Sequence, residues 1–302
     1  MDAIRKFLDE YEIVAEPQLA DPRFVPISFV PISFVPTNSP NSPNSQLDPQ
    51  IHFDDIDRSL DLNKLPQLLD CFDPTVQKIV REIIEQTQYI SFKRFVVEIQ
   101  SIAKKININE FSIYIDIKDP CHSEVWCIAL VWHIIKNHVK NIFTSIDQIT
   151  NEYPILLIDD CIYSGAEMCD KIRKINNNIS GSVNCYITAP YGSAAISILF
   201  RGMLNGTLIK EESRIYTNLD KLSLTYLIGN YIQPFKSKSN NGYYSWELLN
   251  RYTDTSPACL PIYFDHKIAD SGSSFPAIYN FLAKARPNRN PILALDKLKQ
   301  LC

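Results

Sequence analysis

Residues 155–165 constrain the fold of this chain more than any other stretch. They read Ile-Leu-Leu-Ile-Asp-Asp-Cys-Ile-Tyr-Ser-Gly. Four consecutive aliphatic residues are typical of a strand that is buried on both faces, as in a parallel sheet. Two acidic residues follow the strand, and from Ala166 onward apolar residues recur every three or four positions, which predicts a helix. We therefore expect a strand–loop–helix unit of an α/β fold, with a ligand site at the carboxyl end of the strand.

Further strand and helix signals on both sides of this unit predict the rest of the fold. A turn is predicted at residues 189–193, where a proline and a glycine interrupt the apolar pattern. The alternation predicts an open, mainly parallel α/β sheet with helices on both faces, preceded by an N-terminal helical extension. Strands are expected at 111–117, 142–144, 182–188, 214–216 and 261–264, and helices at 74–85, 92–106, 124–136 and 194–203.

The chain divides unevenly into segments of different character. Residues 1–15 predict an amphipathic helix, 51–110 a helical lead-in, and 111–302 the α/β domain, with an insertion at about 221–252. Residues 16–50 are rich in Pro, Asn and Ser, and this proline density excludes helix and interior strand. Two interpretations of 16–50 stay open: a disordered linker, or an extended arm that contacts a partner or a second subunit of a homodimer. The arm would present four large apolar side chains, Ile27, Phe29, Ile32 and Phe34.

Charge and composition exclude several classes of protein. A net charge of −4 argues against general binding of nucleic acid, which requires a basic surface. No apolar run approaches the roughly 20 residues that a membrane-spanning helix needs, and the N-terminus is charged where a secretory signal would be apolar. The eight cysteines have no paired spacing, which favours a reducing, cytoplasmic location. Cys127 and His133 lie six residues apart in one predicted helix, so their side chains point in different directions. No dedicated metal site is therefore predicted.

The motif at 155–165 resembles the PRPP-binding motif of type I phosphoribosyltransferases, which consists of a hydrophobic strand, two acids and a loop that ends in Thr/Ser-Gly. The resemblance in strand and helix order extends over roughly residues 90–285. A narrower resemblance, to uncharacterised phosphoribosyltransferase-like proteins of large DNA viruses, also involves residues 263–270 (Tyr-Phe-Asp-His-Lys-Ile-Ala-Asp). The family resemblance implies a transferase that binds PRPP, or a nucleoside monophosphate, together with Mg²⁺, and transfers phosphoribose to a nitrogen acceptor.

The resemblance also implies roles for individual residues. Asp159 and Asp160 would hold the ribose hydroxyls. Lys118, which follows the first predicted strand, would contact the pyrophosphate, although a plain turn explains this segment as well. His266 and Lys267 would lie near the acceptor or the pyrophosphate, and a solvated turn is the alternative. The loop would form the cradle for the 5′-phosphate through Tyr163, Ser164, Gly165 and Ala166, with Glu167 at its edge.

Departures from the family pattern leave other functions open. Glu167 stands where most members have Thr, and we expect its carboxylate to weaken phosphate binding by repulsion. Tyr163 stands where several purine enzymes have an acid, and the loop has a single glycine, Gly165. A degenerate, non-catalytic fold that senses nucleotides or serves as a structural module, in a virion or in host cytoplasm, is the main alternative. A receiver-like domain that uses Asp116 and Lys267 is a weaker one, and the acid pair could also simply end a strand and cap a helix.

Overall fold

The computed structural model describes residues 59–116, 123–163, 165–194, 207–209, 214–216, 221–237, 260–264 and 275–284. The predicted N-terminal helix at 1–15, the segment 16–50 and all but the first residue of the helix predicted at 194–203 lie outside these ranges. Within the described ranges, no helix has the length and apolar character needed to cross a membrane.

The helices and strands alternate through most of the chain. Short 3₁₀ turns are present at Leu62–Lys64, Lys136–His138 and Ile146–Gln148. The helices are α1 (Leu65–Leu69), α2 (Pro74–Gln86), α3 (Phe92–Ala103), α4 (Ser123–Ile135), α5 (Ala166–Asn178) and α6 (Pro276–Leu282). The strands are β1 (Gln88–Ile90), β2 (Phe111–Tyr114), β3 (Val139–Phe143), β4 (Ile155–Ile158), β5 (Cys161–Ile162), β6 (Val183–Ser193), β7 (Thr207–Ile209), β8 (Arg214–Tyr216), β9 (Leu222–Ile232) and β10 (Ile262–Phe264).

The main sheet has the strand order β3-β2-β4-β6-β9-β8-β7, and β5 pairs with the end of β6. The first five strands of this order are parallel to one another, while β8 and β7 are antiparallel to their neighbours. Strands β1 and β10 pair with each other, also in parallel. The predicted fold class, an open and mainly parallel α/β sheet, is confirmed.

Helices cover both faces of the sheet because its strands are apolar on both sides. In β4, Ile155 and Leu157 pack in a cluster with α5, whereas Leu156 and Ile158 pack on the opposite face with α3 and α4. Each of these four side chains is buried, and full burial of such a side chain contributes about 1.5–3 kcal/mol. The same reasoning explains α4, which is apolar and buried nearly all round.

Two predictions about local structure were wrong. Residues 189–193 do not form a turn, because β6 continues to Ser193 and pairs with both β5 and β9 along this stretch. The insertion predicted at about 221–252 is wrong for Leu222–Ile232, which form β9 beside β6. Its Leu222, Leu224 and Tyr226 alternate with polar residues and pack on the α5 side, so the stretch fits a strand of the sheet.

The helical lead-in is part of the same fold as the sheet. Helix α3 packs against α4, β6 and β9, and β1 supplies the partner of β10. A third apolar cluster joins α1, α2 and α6 with Phe235 and Tyr263. Removing the lead-in would therefore expose one face of the sheet.

Candidate functional site

The strand order reverses between β2 and β4, and we refer to this switch point at their carboxyl ends as the crevice. After β2 the chain first adds β3 on one side, then crosses back to add β4 on the other. In parallel sheets such a reversal separates the loops that leave two adjacent strands, and ligands bind in the opening between them. Asp116 follows β2 and Asp159 follows β4 directly. Helices α4 and α5, which cover opposite faces of the sheet, both begin beside this opening.

Asp159 is fixed at the crevice by three hydrogen bonds. Its Oδ1 atom accepts a hydrogen bond of 2.5 Å from the Ser123 hydroxyl at the start of α4. The same oxygen accepts from the backbone N–H of Asp160 at 2.8 Å, and the Asp159 N–H donates to the carbonyl of Thr188 in β6 at 3.0 Å. The side chain is only partly buried. Asp159 is therefore an oriented carboxylate that remains accessible from the opening.

Asp160 has a different environment from its neighbour. The residue is 1% exposed, and its Oδ1 atom accepts a hydrogen bond of 2.8 Å from the backbone N–H of Cys161. The expectation that both acids lie at the end of a central strand is confirmed, but the expectation that both face an open crevice is wrong for Asp160. Its burial follows from β5, because Cys161 and Ile162 pair with Tyr191 and Gly192 immediately after the acid pair.

The loop after the acid pair ends in a left-handed glycine. Gly165 has φ 76° and ψ 1°, and it directly precedes α5. The N–H of Cys169 donates to the Gly165 carbonyl at 2.8 Å, which closes the first turn of the helix. Residues with a Cβ are strained in this conformation, so glycine suits this position. The first turn of α5, which includes the exposed Ala166 and Glu167, thus presents its positive dipole end and amide groups at the crevice.

A buried ion pair joins the two helices that flank the crevice. Lys171 in α5 forms a close salt bridge with Glu124 in α4, and both side chains are less than 10% exposed. The second oxygen of Glu124 accepts a hydrogen bond from the backbone N–H of Asp116 at 3.1 Å. Lys171 Nζ also lies 3.1 Å from the Oε1 atom of Glu167, whose side chain is 66% exposed.

Tyr163 packs inward rather than over the loop. Its side chain belongs to the apolar cluster on the α3 and α4 face, together with Tyr191 and Phe264. Burial is the main reason why the pKa of its hydroxyl is raised well above the usual value, and the neighbouring Cys161, Asp160 and Asp159 raise it further. The side chain therefore does not serve the predicted phosphate cradle, to which only the backbone of Tyr163 is available.

Four predicted site residues, Lys118, Ser164, His266 and Lys267, lie outside the described residues. The side chains of three further residues lie at the crevice, and the sequence did not predict this: Ser123, Glu124 and Lys171. The Glu167–Lys171 spacing of four residues was visible on the predicted helix, and it is typical of an ion pair. The Ser123–Asp159 and Glu124–Lys171 contacts join residues 36 and 47 positions apart, so no local pattern indicates them.

The oxygen ligands at the crevice suit Mg²⁺ that is shared with a phosphorylated ligand. Mg²⁺ in such sites takes one or two carboxylates together with phosphate oxygens and water. Asp159, which is partly buried and already oriented, meets this requirement, and Asp116 lies across the opening. Within the part of the chain that is described, no group of three His, Cys, Asp or Glu side chains forms a self-sufficient metal site.

The strand order and the helices on both faces define an open, doubly wound α/β fold whose strand order reverses between β2 and β4. No family model matches the chain, and no curated protein matches it. Among solved structures, the chain is similar to a hypothetical protein from Neisseria gonorrhoeae with bound ppGpp. That similarity has a TM-score of 0.32 and 9% sequence identity, and it covers 55% of this chain and 97% of the other.

Proposed function

We propose that the protein is phosphoribosyltransferase-like and binds PRPP or a nucleoside monophosphate, with Mg²⁺, in the crevice between β2 and β4. The observation that carries the proposal is the position of the 155–165 motif. Its strand is central in a parallel sheet, its acids follow that strand at the switch point, and Gly165 leads directly into α5. The positions of Asp159 and Gly165 support the proposal, because ligands of such folds bind at the carboxyl ends of parallel strands and phosphates bind at helix N-termini.

The geometry supports a specific division of labour. Asp159, held by Ser123, accepts hydrogen bonds from the ribose hydroxyls. The first turn of α5, from Gly165 to Glu167, receives the 5′-phosphate. Bound Mg²⁺ supplies charge neutralisation for the phosphate oxygens. Lys118, His266 and Lys267 remain proposed contacts to the pyrophosphate and the acceptor.

In the proposed transfer, a nitrogen atom of the acceptor forms a bond to C1 of the ribose as the bond from C1 to pyrophosphate breaks. Positive charge develops on the sugar, and the nearby carboxylate of Asp159 stabilises it while holding the ring in place. Neither acid needs to act as a general base. The same proposal includes a cytoplasmic location, which for a viral protein is the host cytoplasm or the virion. It also includes a contact of residues 16–50 with a partner or a second subunit.

A second candidate function is a non-catalytic nucleotide-sensing or structural module of the same fold. The burial of Asp160 favours it, because a ribose that used both acids would require this side chain to move. Glu167 also places an extra negative charge beside the proposed phosphate position. Binding without turnover is the result expected from this candidate.

Calorimetric titration with PRPP and Mg²⁺, and separately with nucleoside monophosphates, tests the proposal. We expect wild-type protein to bind, and Asp159→Ala to weaken binding about 10- to 100-fold through loss of charge-assisted hydrogen bonds. Asp147→Ala, a substitution of an exposed acid on a 3₁₀ turn, is the control and should bind normally. Pyrophosphate release in the presence of candidate bases separates the transferase from the non-catalytic module. Equal binding by both variants, or none by wild type, would reject the proposed site.

A further inference from the structure

Lys171 is unusual among the basic residues of this protein. Among the lysines and arginines whose burial the structure describes, it is the only one that is buried, at 7% exposure. It lies on the second turn of α5, and lysine side chains on helices extend back toward the N-terminal turn. A buried positive charge therefore stands just behind the turn that is proposed to receive a phosphate.

Glu124 and Glu167 both contact Lys171, but they are held with very different strength. Glu124 is buried and binds both the Lys171 ammonium and the Asp116 backbone N–H, so its removal would leave a buried charge without compensation. Glu167 contacts Lys171 from the surface, with two thirds of its side chain exposed. Exposed ion pairs contribute little to stability, so Glu167 can leave Lys171 at small cost.

We propose that Lys171 is a phosphate-binding residue and that Glu167 is its displaceable partner. In the free protein Glu167 covers the Lys171 ammonium, and an arriving phosphate at the first turn of α5 replaces the Glu167 carboxylate there. Glu124 stays in place and keeps Lys171 oriented. This inference rests on the proposed function, since it requires that a phosphorylated ligand binds at this crevice.

Charge accounts for the arrangement. A doubly charged phosphate competes with a singly charged carboxylate for the same ammonium group, and the phosphate is favoured by the nearby helix dipole. Ligands without a phosphate, or with a weakly charged one, would not displace Glu167. The pair thus selects for strongly anionic ligands, and Glu167 lowers affinity by competition rather than by closing the site.

The test is calorimetric titration of the full chain with PRPP and Mg²⁺, using two variants and two matched controls. Glu167→Gln removes the competitor, and we expect binding about tenfold tighter than wild type. Lys171→Met combined with Glu124→Gln removes both buried charges together, and we expect binding at least tenfold weaker. The controls make the same changes in the exposed Lys140–Glu110 pair, which lies at the amino ends of β2 and β3. They are Glu110→Gln alone, and Glu110→Gln combined with Lys140→Met. Both controls should bind as wild type does.

The outcomes distinguish this inference from the proposed function. If Asp159→Ala weakens binding while Glu167→Gln leaves the affinity unchanged, the role of Lys171 is overturned and the proposed function stands. If neither wild type nor Glu167→Gln binds PRPP, both are overturned. Thermal denaturation shows whether the double variant is folded, and the exposed Glu167→Gln substitution decides the question if it is not.

Discussion

At the scale of single residues, the backbone conformation of Gly165 positions the proposed phosphate site at the start of α5. Its φ of 76° is the only positive value found for a described glycine. This conformation directs the chain from the buried β5 into the first turn of α5. The predicted cradle therefore depends on a backbone geometry that other residues adopt only with strain.

Replacing Gly165 tests this dependence. We expect Gly165→Ala to lower the free energy of unfolding by about 1–2 kcal/mol, because a Cβ is strained in the left-handed region. Urea denaturation followed by circular dichroism measures the change, and PRPP affinity should fall in the same variant. Gly181→Ala is the control, because the atoms nearest to its Cβ belong to the Asn151 side chain, whose amide end can move away. Equal stability of Gly165→Ala and wild type would show that the turn does not require glycine.

The residue scale also shows what a sequence can predict about a site. Asp159, Gly165 and Glu167 were predicted because they occur within one short motif whose order follows the chain. The burial of Asp160 was not, since it depends on the pairing of Cys161 and Ile162 with Tyr191 and Gly192, about 30 residues later. Lys171 was missed because its main partner, Glu124, lies in another helix.

At the scale of elements, the close approach of α3 to β9 is set by a glycine. A Cβ at Gly229 would lie 2.8 Å from the carbonyl oxygen of Pro190 in β6, and closer still to the Ile102 side chain of α3. The absence of a side chain at this position lets the helix lie flat on the sheet. Gly192, in contrast, would meet the Ile228 side chain at 3.1 Å, which is a milder conflict.

These two glycines give a graded prediction. We expect Gly229→Ala to destabilise the fold by about 1–3 kcal/mol, because backbone and a packed side chain must both shift. Gly192→Ala should cost less, since one side chain can adjust. Chemical denaturation of the two variants side by side provides the comparison. If Gly192→Ala were the more damaging of the two, the described packing of α3 would be incorrect.

Elements differed in how well their sequence predicted them. Strand β4 and helix α5 were predictable, because four aliphatic residues and an apolar repeat identify them locally. Strand β9 was predicted to be part of an insertion. Its alternation of polar and apolar residues alone does not identify it as a strand of the sheet, and its pairing with β6 does. The extension of β6 through residues 189–193 has the same cause, because Ala189 pairs with β9, and Tyr191 and Gly192 pair with both β5 and β9.

At the scale of the whole molecule, buried hydroxyls and thiols make the free energy of unfolding depend on pH in the alkaline range. Burial raises the pKa of the Cys185 thiol from 9.0 to about 12. Burial is also the main cause that raises the pKa of the Tyr191 hydroxyl, from 10.0 to about 12. The folded protein therefore retains protons that the unfolded chain releases above pH 9–10. Stability is full below that range and is lost as the pH rises toward 12.

We expect the free energy of unfolding to decrease between pH 9 and 12, by up to about 1.4 kcal/mol per pH unit for a fully buried group such as Cys185. Urea denaturation at pH 8, 9.5 and 11 measures the slope. Cys185→Ala removes one of the contributing groups, and its slope should be shallower than that of wild type. A stability that is constant from pH 8 to 11 would contradict the described burial.

The segment 16–50 raises the question of how much of the chain the α/β domain needs in order to fold. Its composition predicts that it cannot form a compact unit, and that the α/β domain folds without it. We expect limited proteolysis to cut within 16–50 and to leave a stable fragment that begins near residue 51. Unfolding or aggregation of the remaining fragment after cleavage would instead make this segment part of the core.

The central claim is that a phosphorylated ribose binds at the carboxyl ends of β2 and β4. The most direct measurement is a crystal structure of the protein with Mg²⁺ and PRPP, or with a nucleoside monophosphate. The account predicts ribose hydroxyls within hydrogen-bond distance of Asp159, and a phosphate at the first turn of α5 beside Lys171. A ligand bound elsewhere, such as in the apolar pocket between α3 and the sheet near Ile102 and Pro190, would contradict it.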